Sequence, residues 1–150
     1  MITIKRCYSA DEVSPNIWGL FEEHREEVST YKDIMKVNPR SDVYTNGFKD
    51  GSLVVLEAYN DEELSGYSIS FVMKHPHYAD LTVCSNDLLF VKKEFRNTRT
   101  GSLLMQETER HGVLMGAKMM LWHAKPDTSL STILSRKAYR IQDIIFSKVL

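Results

Sequence analysis

Three consecutive strand-like segments in the middle of the chain are the feature that most constrains its fold. They are "SLVVLEAYN" (52–60), "LSGYSISFVMK" (64–74) and "LTVCSNDLLFVKK" (81–93). The links between them, a predicted hairpin loop at 60–63 and the loop "HPHYAD" at 75–80, are short and polar. Links this short join antiparallel neighbours, so the segments predict an antiparallel sheet.

The third of these segments contains the run Leu88–Val91, in which apolar and polar residues do not alternate. Such a run is typical of a strand that is buried on both faces. A sheet of this kind must be covered on both sides, and helical patterns precede and follow it. The fold class predicted is therefore α/β (α+β), with a mixed, mostly antiparallel central sheet flanked by helices on both faces, in one domain spanning 1–150.

Changes of hydrophobic period predict the remaining elements. Ser9 can N-cap the first helix with Glu12 in the capping-box position, and Ser14 with Pro15 offers a second start. Asp127 or Thr128 can cap the last helix. The predicted segments are a strand at 2–8, a helix at 9–28, a short helix "YKDIMKV" at 31–37, a loop at 38–50, a helix at 101–115 ended by Gly116, a strand at 118–124, a helix at 126–138 and a strand at 139–150.

Composition and charge exclude several classes of protein. The chain is 43% hydrophobic and 26% charged, which excludes disordered and collagen-like classes. A net charge of −1 argues against a nucleic-acid partner. The first residues lack a signal-peptide pattern, and no apolar run approaches the roughly 18–20 residues of a membrane span. Cys7 and Cys84 lie in apolar runs and are expected to be free thiols, so we expect a cytoplasmic protein.

The link "RNTRTGS" (96–102) joins the buried strand to the start of a helix. A helix N-terminus leaves about four backbone N–H groups unpaired and carries roughly half a positive charge. Two arginines, Arg96 and Arg99, can add charge-assisted hydrogen bonds, and the small residues let the backbone approach a ligand. The segment therefore has the chemistry of a phosphate site, although the same residue types also serve as plain helix capping.

The element order and this link resemble the GNAT family of acyl-CoA-dependent N-acetyltransferases over essentially the whole chain. The family pattern is Arg or Gln, two residues, Gly, one residue, then Gly or Ala, and it aligns here with Arg96 to Gly101. "LSGYSISF" resembles the family's third strand, and Ala138-Tyr139 stands where the family has Gly-Phe near its end. The short acetyltransferase-like proteins of bacteriophage genomes are the most similar group.

The resemblance implies that acetyl-CoA is a cosubstrate and that an acetyl group passes directly to a primary amine. It implies that the Val91 N–H binds the thioester oxygen, that Asp87 or a water is the base, and that His123 is the second candidate base. Homodimers are frequent in the family. The residues that it implies for the pyrophosphate are Arg96, Asn97, Thr98, Arg99, Thr100, Gly101 and Ser102.

The sequence departs from the family at two positions. Arg99 replaces the first glycine of the pattern, and Leu134 replaces the tyrosine that many members use as general acid. Leucine cannot protonate a leaving thiolate. These departures leave two alternatives open, a non-catalytic GNAT-fold protein that engages a protein partner and a sensor that binds CoA without transfer.

Other chemically suggestive residues have simpler interpretations. Ser131 and Ser135 flank Leu134 and could hold a water, but ordinary helix surface is favoured. His75 and His77 lack the carboxylate or thiol neighbours of a metal site, so no metal is expected. An acidic group on the first helix either shapes a site for a cationic acceptor or forms a solvated face, and the second is favoured. Its members are Glu22, Glu23, Glu26 and Glu27.

Overall fold

A computed structural model describes all 150 residues. It contains one five-stranded sheet in the order β1-β2-β3-β4-β5. The first four strands pair antiparallel, and β5 pairs parallel with β4. This confirms the predicted mixed, mostly antiparallel sheet. The strands are β1 (Ile2–Cys7), β2 (Leu53–Asn60), β3 (Glu63–His75), β4 (Tyr78–Val91) and β5 (Met119–Leu121).

Helices cover both faces of the sheet, as predicted. Odd-numbered residues at the start of β2 pack with α1 in one core, and even-numbered residues of β2 pack with α3 in the other. Because side chains alternate across a strand, the two helices lie on opposite faces. No helix is both long and apolar enough to cross a membrane. The helices are α1 (Ile17–Val28), α2 (Ser41–Asp50), α3 (Thr100–Leu114) and α4 (Ser129–Arg136).

The predicted first helix is divided. Ala10–Glu12 forms a 3-10 turn, and α1 begins at Ile17, after the second start at Ser14 and Pro15. Ser9 makes no side-chain capping bond, and the Glu12 carboxylate accepts the Tyr8 N–H at 3.0 Å. The predicted capping box is therefore wrong, whereas Thr128 caps α4 as expected.

The short helix predicted at 31–37 is wrong, and part of the predicted loop at 38–50 is the helix α2. At 31–37 only one turn forms, because the Arg25 guanidinium binds the carbonyls of Lys32 and Met35 that a longer helix would use. The helix α2 ends at Gly51, whose φ of +75° is the left-handed conformation that glycine adopts without a steric penalty.

The end of the chain also differs from the prediction. No strand forms at 139–150, since this segment pairs with no strand of the sheet. The strand predicted at 118–124 is reduced to β5, and the loop predicted at 75–80 is mostly strand around a tight turn at 76–77. The predicted free thiols are confirmed, since Cys7 and Cys84 are buried and unpaired.

The close pairing of β3 with β4 depends on Gly66. A Cβ at this position would lie 2.6 Å from the Phe90 carbonyl oxygen, a distance that backbone atoms cannot accommodate without moving. We predict that Gly66→Ala lowers the free energy of unfolding by about 1–3 kcal/mol in denaturant titrations.

Gly19→Ala in α1 is the matched control, because no atom lies within 4 Å of the new methyl group. It should leave stability unchanged or raise it by up to about 1 kcal/mol. Equal effects of the two substitutions would contradict this account of Gly66.

Candidate active site

The strands β4 and β5 separate after a short parallel contact. Only three residue pairs join them, the last being Ser85 with Leu121. The Asn86 side-chain oxygen then accepts the His123 N–H at 2.5 Å, and the Ser85 hydroxyl lies 2.9 Å from His123 Nε2. Beyond this point β4 continues to Val91 with no strand on that side. We call this opening, between 86–91 and the residues that follow β5, the β4–β5 cleft.

A β-bulge lies at the inner end of the β4–β5 cleft. Ile69 of β3 faces Leu88, whereas the next residue, Ser70, faces Asn86, so Asp87 is the extra residue of β4. A bulge bends its strand and increases the local twist. The bend accounts for the departure of β4 from β5 at this position.

The backbone of β4 directs hydrogen-bond donors into the cleft. The Lys92 N–H donates to the Ser65 carbonyl at 2.9 Å and therefore points toward β3. N–H groups alternate in direction along a strand, so those of Leu89 and Val91 point away from β3. The Val91 N–H thus points into the β4–β5 cleft, as its predicted role requires.

The predicted base, Asp87, is exposed at the surface of this site. Packed neighbours raise the pKa of its carboxyl above the usual value, and His123 partly offsets the rise. Burial, followed by the charge of Asp87, raises the pKa of Tyr44 to about 12. The charge of Asp87 therefore reaches Tyr44 on the α1–α2 side of the sheet.

The N-terminus of α3 presents unpaired donors beside the cleft. The Thr98 hydroxyl accepts the Thr100 N–H at 3.2 Å, and Asn60 Nδ2 donates to the Thr100 hydroxyl at 3.1 Å. The N–H groups of Gly101 and Ser102 have no partner within the protein. Two free donors and the helix dipole favour an anion at this position.

The two arginines of the link have different environments. Arg96 donates through both terminal nitrogens to the Glu27 carboxylate at 2.8 and 2.6 Å, and through Nε to the Val91 carbonyl at 2.8 Å. Arg99 is exposed and has no side-chain hydrogen bond, and its φ of −80° is unstrained. Arg99 is therefore the arginine of the link that is free to meet an anion at the N-terminus of α3.

A polar pair on α1 and β3 was not found from the sequence. His24 Nδ1 lies 2.8 Å from the Tyr67 hydroxyl, and the His24 ring stacks on Phe90 at 5.0 Å between centroids. Burial lowers the pKa of His24 to about 4, so the imidazole is neutral at pH 7. The helical spacing of His24 in the sequence indicates that it lies on the buried face of α1, but nothing in the sequence indicates that its partner is Tyr67 on β3.

The acidic residues of α1 are largely exposed. Two of them form close ion pairs, and three line an open cavity. Glu26 pairs with Arg25 at 2.6 Å and with Lys32 at 3.1 Å, and Glu27 binds Arg96. A cavity of about 330 Å³ lies beside this helix. It is lined by Glu23, Glu26, Glu27, Phe90, Lys93 and Glu94.

Several other candidates have local roles. Ser131 completes a capping box with Thr128, and the Ser135 hydroxyl donates to the Ser131 carbonyl at 2.8 Å. No group of three or more potential metal ligands forms, and His75 and His77 lie together in the β3–β4 turn with centroids 6.0 Å apart.

The sequence matches no protein-family model and no curated protein. Its fold, however, is similar to solved acetyltransferases. An aminoglycoside acetyltransferase from an uncultured soil metagenomic sample superposes with a TM-score of 0.74 at 16% identity, covering 99% of this chain and 96% of that one. The ribosomal-protein-alanine N-acetyltransferase of Brucella melitensis biovar Abortus 2308 gives 0.70 at 13%, covering 100% and 99%.

The chain has the GNAT fold. An aminoglycoside N-acetyltransferase in complex with CoA superposes with a TM-score of 0.67 at 13% identity, covering 99% of this chain and 95% of that one. The predicted fold class is thus confirmed, and the β4–β5 cleft and the α3 N-terminus can be considered as parts of a GNAT fold.

The buried His24 makes stability depend on pH. Its pKa is lower in the folded protein (about 4) than the value of 6.5 expected when unfolded, so the unfolded chain binds the extra proton first. Stability is therefore lost as the pH falls from about 6.5 toward 4, by at most about 3 kcal/mol for this group.

We predict that His24→Gln shows a smaller loss of unfolding free energy between pH 7 and pH 4.5 than the unsubstituted protein. His77→Gln, in the exposed β3–β4 turn, is the control and should retain the full loss. An unchanged pH slope in His24→Gln would show that this histidine is not buried in its neutral form.

Proposed function

We propose that this protein is an N-acetyltransferase that uses acetyl-CoA as cosubstrate and transfers the acetyl group directly to a primary amine. The observation that carries the proposal is the combination of the open β4–β5 cleft with unpaired N–H groups on both β4 and the start of α3. One set of donors suits a thioester carbonyl, and the other suits a pyrophosphate. The GNAT fold of solved acetyltransferases, one of them in complex with CoA, supports this assignment.

The residues present fit CoA as the bound group. Gly101 and Ser102 would hold the pyrophosphate through their N–H groups, with Arg99 adding charge and Asn97, Thr98 and Thr100 shaping the loop. Arg96 would act indirectly, because its bonds to Glu27 and Val91 fix the loop against α1 and β4. When bound, CoA supplies an acyl group activated as a thioester.

The chain's own groups would prepare the amine and the carbonyl. The Val91 N–H would polarise the thioester oxygen, and Asp87, whose pKa is raised, would take the proton from the amine directly or through water. His123, bonded to Ser85 and Asn86 at the inner end of the cleft, is the second candidate base. Leu134 cannot donate a proton, so solvent would protonate the leaving thiolate.

A second candidate function is a non-catalytic GNAT-fold protein that binds a protein partner. The observation that favours it is the full engagement of Arg96 by Glu27 and the Val91 carbonyl, which removes one of the two cations from the pyrophosphate site. CoA affinity and turnover separate the two functions. Two buried free thiols support the further proposal that the protein works in a reducing compartment such as the cytoplasm. The single sheet, with a core on each face, supports the proposal that the chain is one domain.

Binding at the α3 N-terminus is tested by two substitutions. Gly101→Asp should abolish the thermal stabilisation by CoA and acetyl-CoA, because its carboxylate would occupy the anion site. A Cβ at Gly101 lies 3.7 Å from its nearest neighbour, and an acidic side chain suits a helix N-terminus, so the fold should be retained. Arg99→Ala should weaken CoA binding about 10-fold, as expected for one charge-assisted hydrogen bond.

The exposed Lys49→Ala on α2 is the control for loss of one positive charge and should bind CoA normally. If unsubstituted protein shows no shift with millimolar CoA or acetyl-CoA, the acetyltransferase proposal fails and the binding-protein function is favoured.

The role of Asp87 is tested by Asp87→Asn, which preserves shape and removes the base. We predict a fall in kcat of about 10²- to 10⁴-fold in a thiol-release assay with the best acceptor from an amine panel. The Kd for CoA should not change. The pH–rate profile of the unsubstituted enzyme should fall on the acid side, at a pH above the ordinary pKa of an aspartate. If His123→Gln produces the large fall and Asp87→Asn does not, the base is His123.

A further inference from the structure

Asn86 is a buried polar residue at the point where β4 and β5 separate. It is 2% exposed, and a buried amide is costly unless it makes hydrogen bonds. Its neighbour on β3 is Ser70, whose buried hydroxyl has no hydrogen-bond partner, so the two side chains are not bonded to each other. The Asn86 oxygen instead accepts the N–H of His123, in the segment that follows β5, at 2.5 Å.

The bond to His123 shows that the chain turns directly after β5. In the parallel ladder, the Lys118 N–H donates to the Thr82 carbonyl at 2.9 Å. N–H groups alternate in direction along a strand, so in a regular strand the His123 N–H would point away from β4. It binds a side chain of β4 instead. The backbone has therefore rotated between Leu121, the last residue of β5, and His123.

The Asn86 side chain holds this turn against a strand that the sequence favours. The segment 118–124 has the pattern of a buried strand, but β5 ends at Leu121. Asparagine side chains compete with backbone groups for hydrogen bonds and so interrupt regular structure. If the segment continued along β4, it would cover the Leu89 N–H, which points away from β3. By binding the turned His123 peptide, Asn86 keeps this donor free.

The turned segment is also held by side chains on both faces of the sheet. The indole N–H of Trp122 donates to the Glu109 carboxylate on α3 at 3.0 Å. The Ser85 hydroxyl lies 2.9 Å from His123 Nε2. Ser85 follows a residue of the core beneath α3, so its side chain lies on the opposite face. Packed neighbours raise the pKa of Asp87, and His123 is close enough to offset part of that rise. The turn therefore determines where the imidazole lies relative to Asp87.

We propose that Asn86 is a positioning residue for acetyl transfer: by binding the turned His123 peptide, it keeps the edge of β4 open to the thioester and holds the imidazole beside Asp87. This inference rests on the proposed function. Because Asn86 is buried, it acts through the segment after β5 and not by contact with the amine. The bulge at Asp87 bends β4, and Asn86 turns the other strand away, so each side of the β4–β5 cleft has its own cause.

The first test needs no ligand and follows hydrogen exchange of the Leu89 amide by NMR. Asn86→Leu keeps the approximate volume of the side chain and removes the acceptor. In this variant the segment after Leu121 should pair with β4, and exchange at Leu89 should slow at least about 10-fold, as expected when a free amide joins a ladder. Asn86→Asp keeps the acceptor oxygen and should leave this exchange rate unchanged.

Ser70→Ala is the matched control for the exchange experiment. It removes a buried hydroxyl that faces Asn86 and makes no bond, so Leu89 should exchange as it does in the unsubstituted protein. Asn86→Ala also removes the acceptor and adds no bulk, and it should slow exchange as Asn86→Leu does. It provides the same measurement if leucine prevents folding.

The second test is acetyl transfer, measured by thiol release with the amine acceptor used for Asp87→Asn. Asn86→Leu should lower kcat/KM about 10²-fold, as expected when reacting groups are displaced by about 1 Å. Asn86→Asp should restore most of this loss at alkaline pH. Its acid limb should move to higher pH, because a second carboxylate raises the pKa of Asp87. A role in stability alone would not move the pH profile.

The two tests separate failure of this inference from failure of the proposed function. Unchanged exchange at Leu89 in both Asn86→Leu and Asn86→Ala, or equal slowing in Ser70→Ala, would overturn the role of Asn86 in opening the cleft. Slowed exchange with an unchanged kcat/KM would overturn its role in acetyl transfer. Unsubstituted protein that acetylates no amine would overturn the proposed function, and the exchange rates would still decide whether Asn86 holds the cleft open.

Discussion

The extra residue in β4 is the constraint on which the candidate site depends. β3 and β4 pair in register from Lys74 opposite Thr82 to Ser70 opposite Asn86, and again from Ile69 opposite Leu88 onward, with Asp87 inserted between. The bulge bends β4 away from β5, and parallel pairing ends at Ser85. An unpaired strand edge invites aggregation at a surface. Here the unpaired edge lies between two helix-covered faces, where its N–H groups can serve a ligand.

The link between β4 and α3 is held in place before any ligand arrives. Arg96 joins the link to two elements, to α1 through Glu27 and to β4 through the Val91 carbonyl and the Phe90 ring, whose centroid lies 5.5 Å from the guanidinium. The hydrogen bond from Arg96 lowers the pKa of Glu27, as expected for a carboxylate held in its charged form. A loop fixed in this way loses little conformational entropy on binding. Because Arg96 is bound to Glu27 and to the Val91 carbonyl, Arg99 is the arginine of the link that remains available to bind an anion.

The sequence predicts those parts of the fold whose signals are local. Apolar runs and short links predict β2, β3 and β4. Thr128, one of the two predicted caps, marks the start of α4. The helix α2 was missed because Asn46 and Gly47 suggest a loop. Gly47 is there for packing, since a Cβ would lie 2.7 Å from Leu53 Cβ. The strand predicted at 139–150 has the right residues but no partner within the chain, and propensity cannot supply one.

The candidate site likewise contains parts that the sequence predicts and parts that it does not. The link at 96–102 could be predicted because a strand, two arginines, small residues and a helix follow one another. The bulge at Asp87 has no such signal, since neither glycine nor proline marks it. The contacts of His24 with Tyr67 and of Glu27 with Arg96 join residues 43 and 69 positions apart, and only the tertiary fold brings them together. The element order identified the GNAT resemblance, whereas the contacts that organise the site come from the structure.

The most direct test of the central claim is amide NMR of labelled protein, in which free CoA is compared with acetyl-CoA. Both ligands carry the pyrophosphate, and only acetyl-CoA carries the thioester carbonyl. The account predicts that both ligands shift and protect the amides of Gly101 and Ser102, and that acetyl-CoA alone does so at Val91. Perturbations confined to other parts of the chain, or equal effects of the two ligands at Val91, would contradict the assignment of the β4–β5 cleft as the site of acetyl transfer.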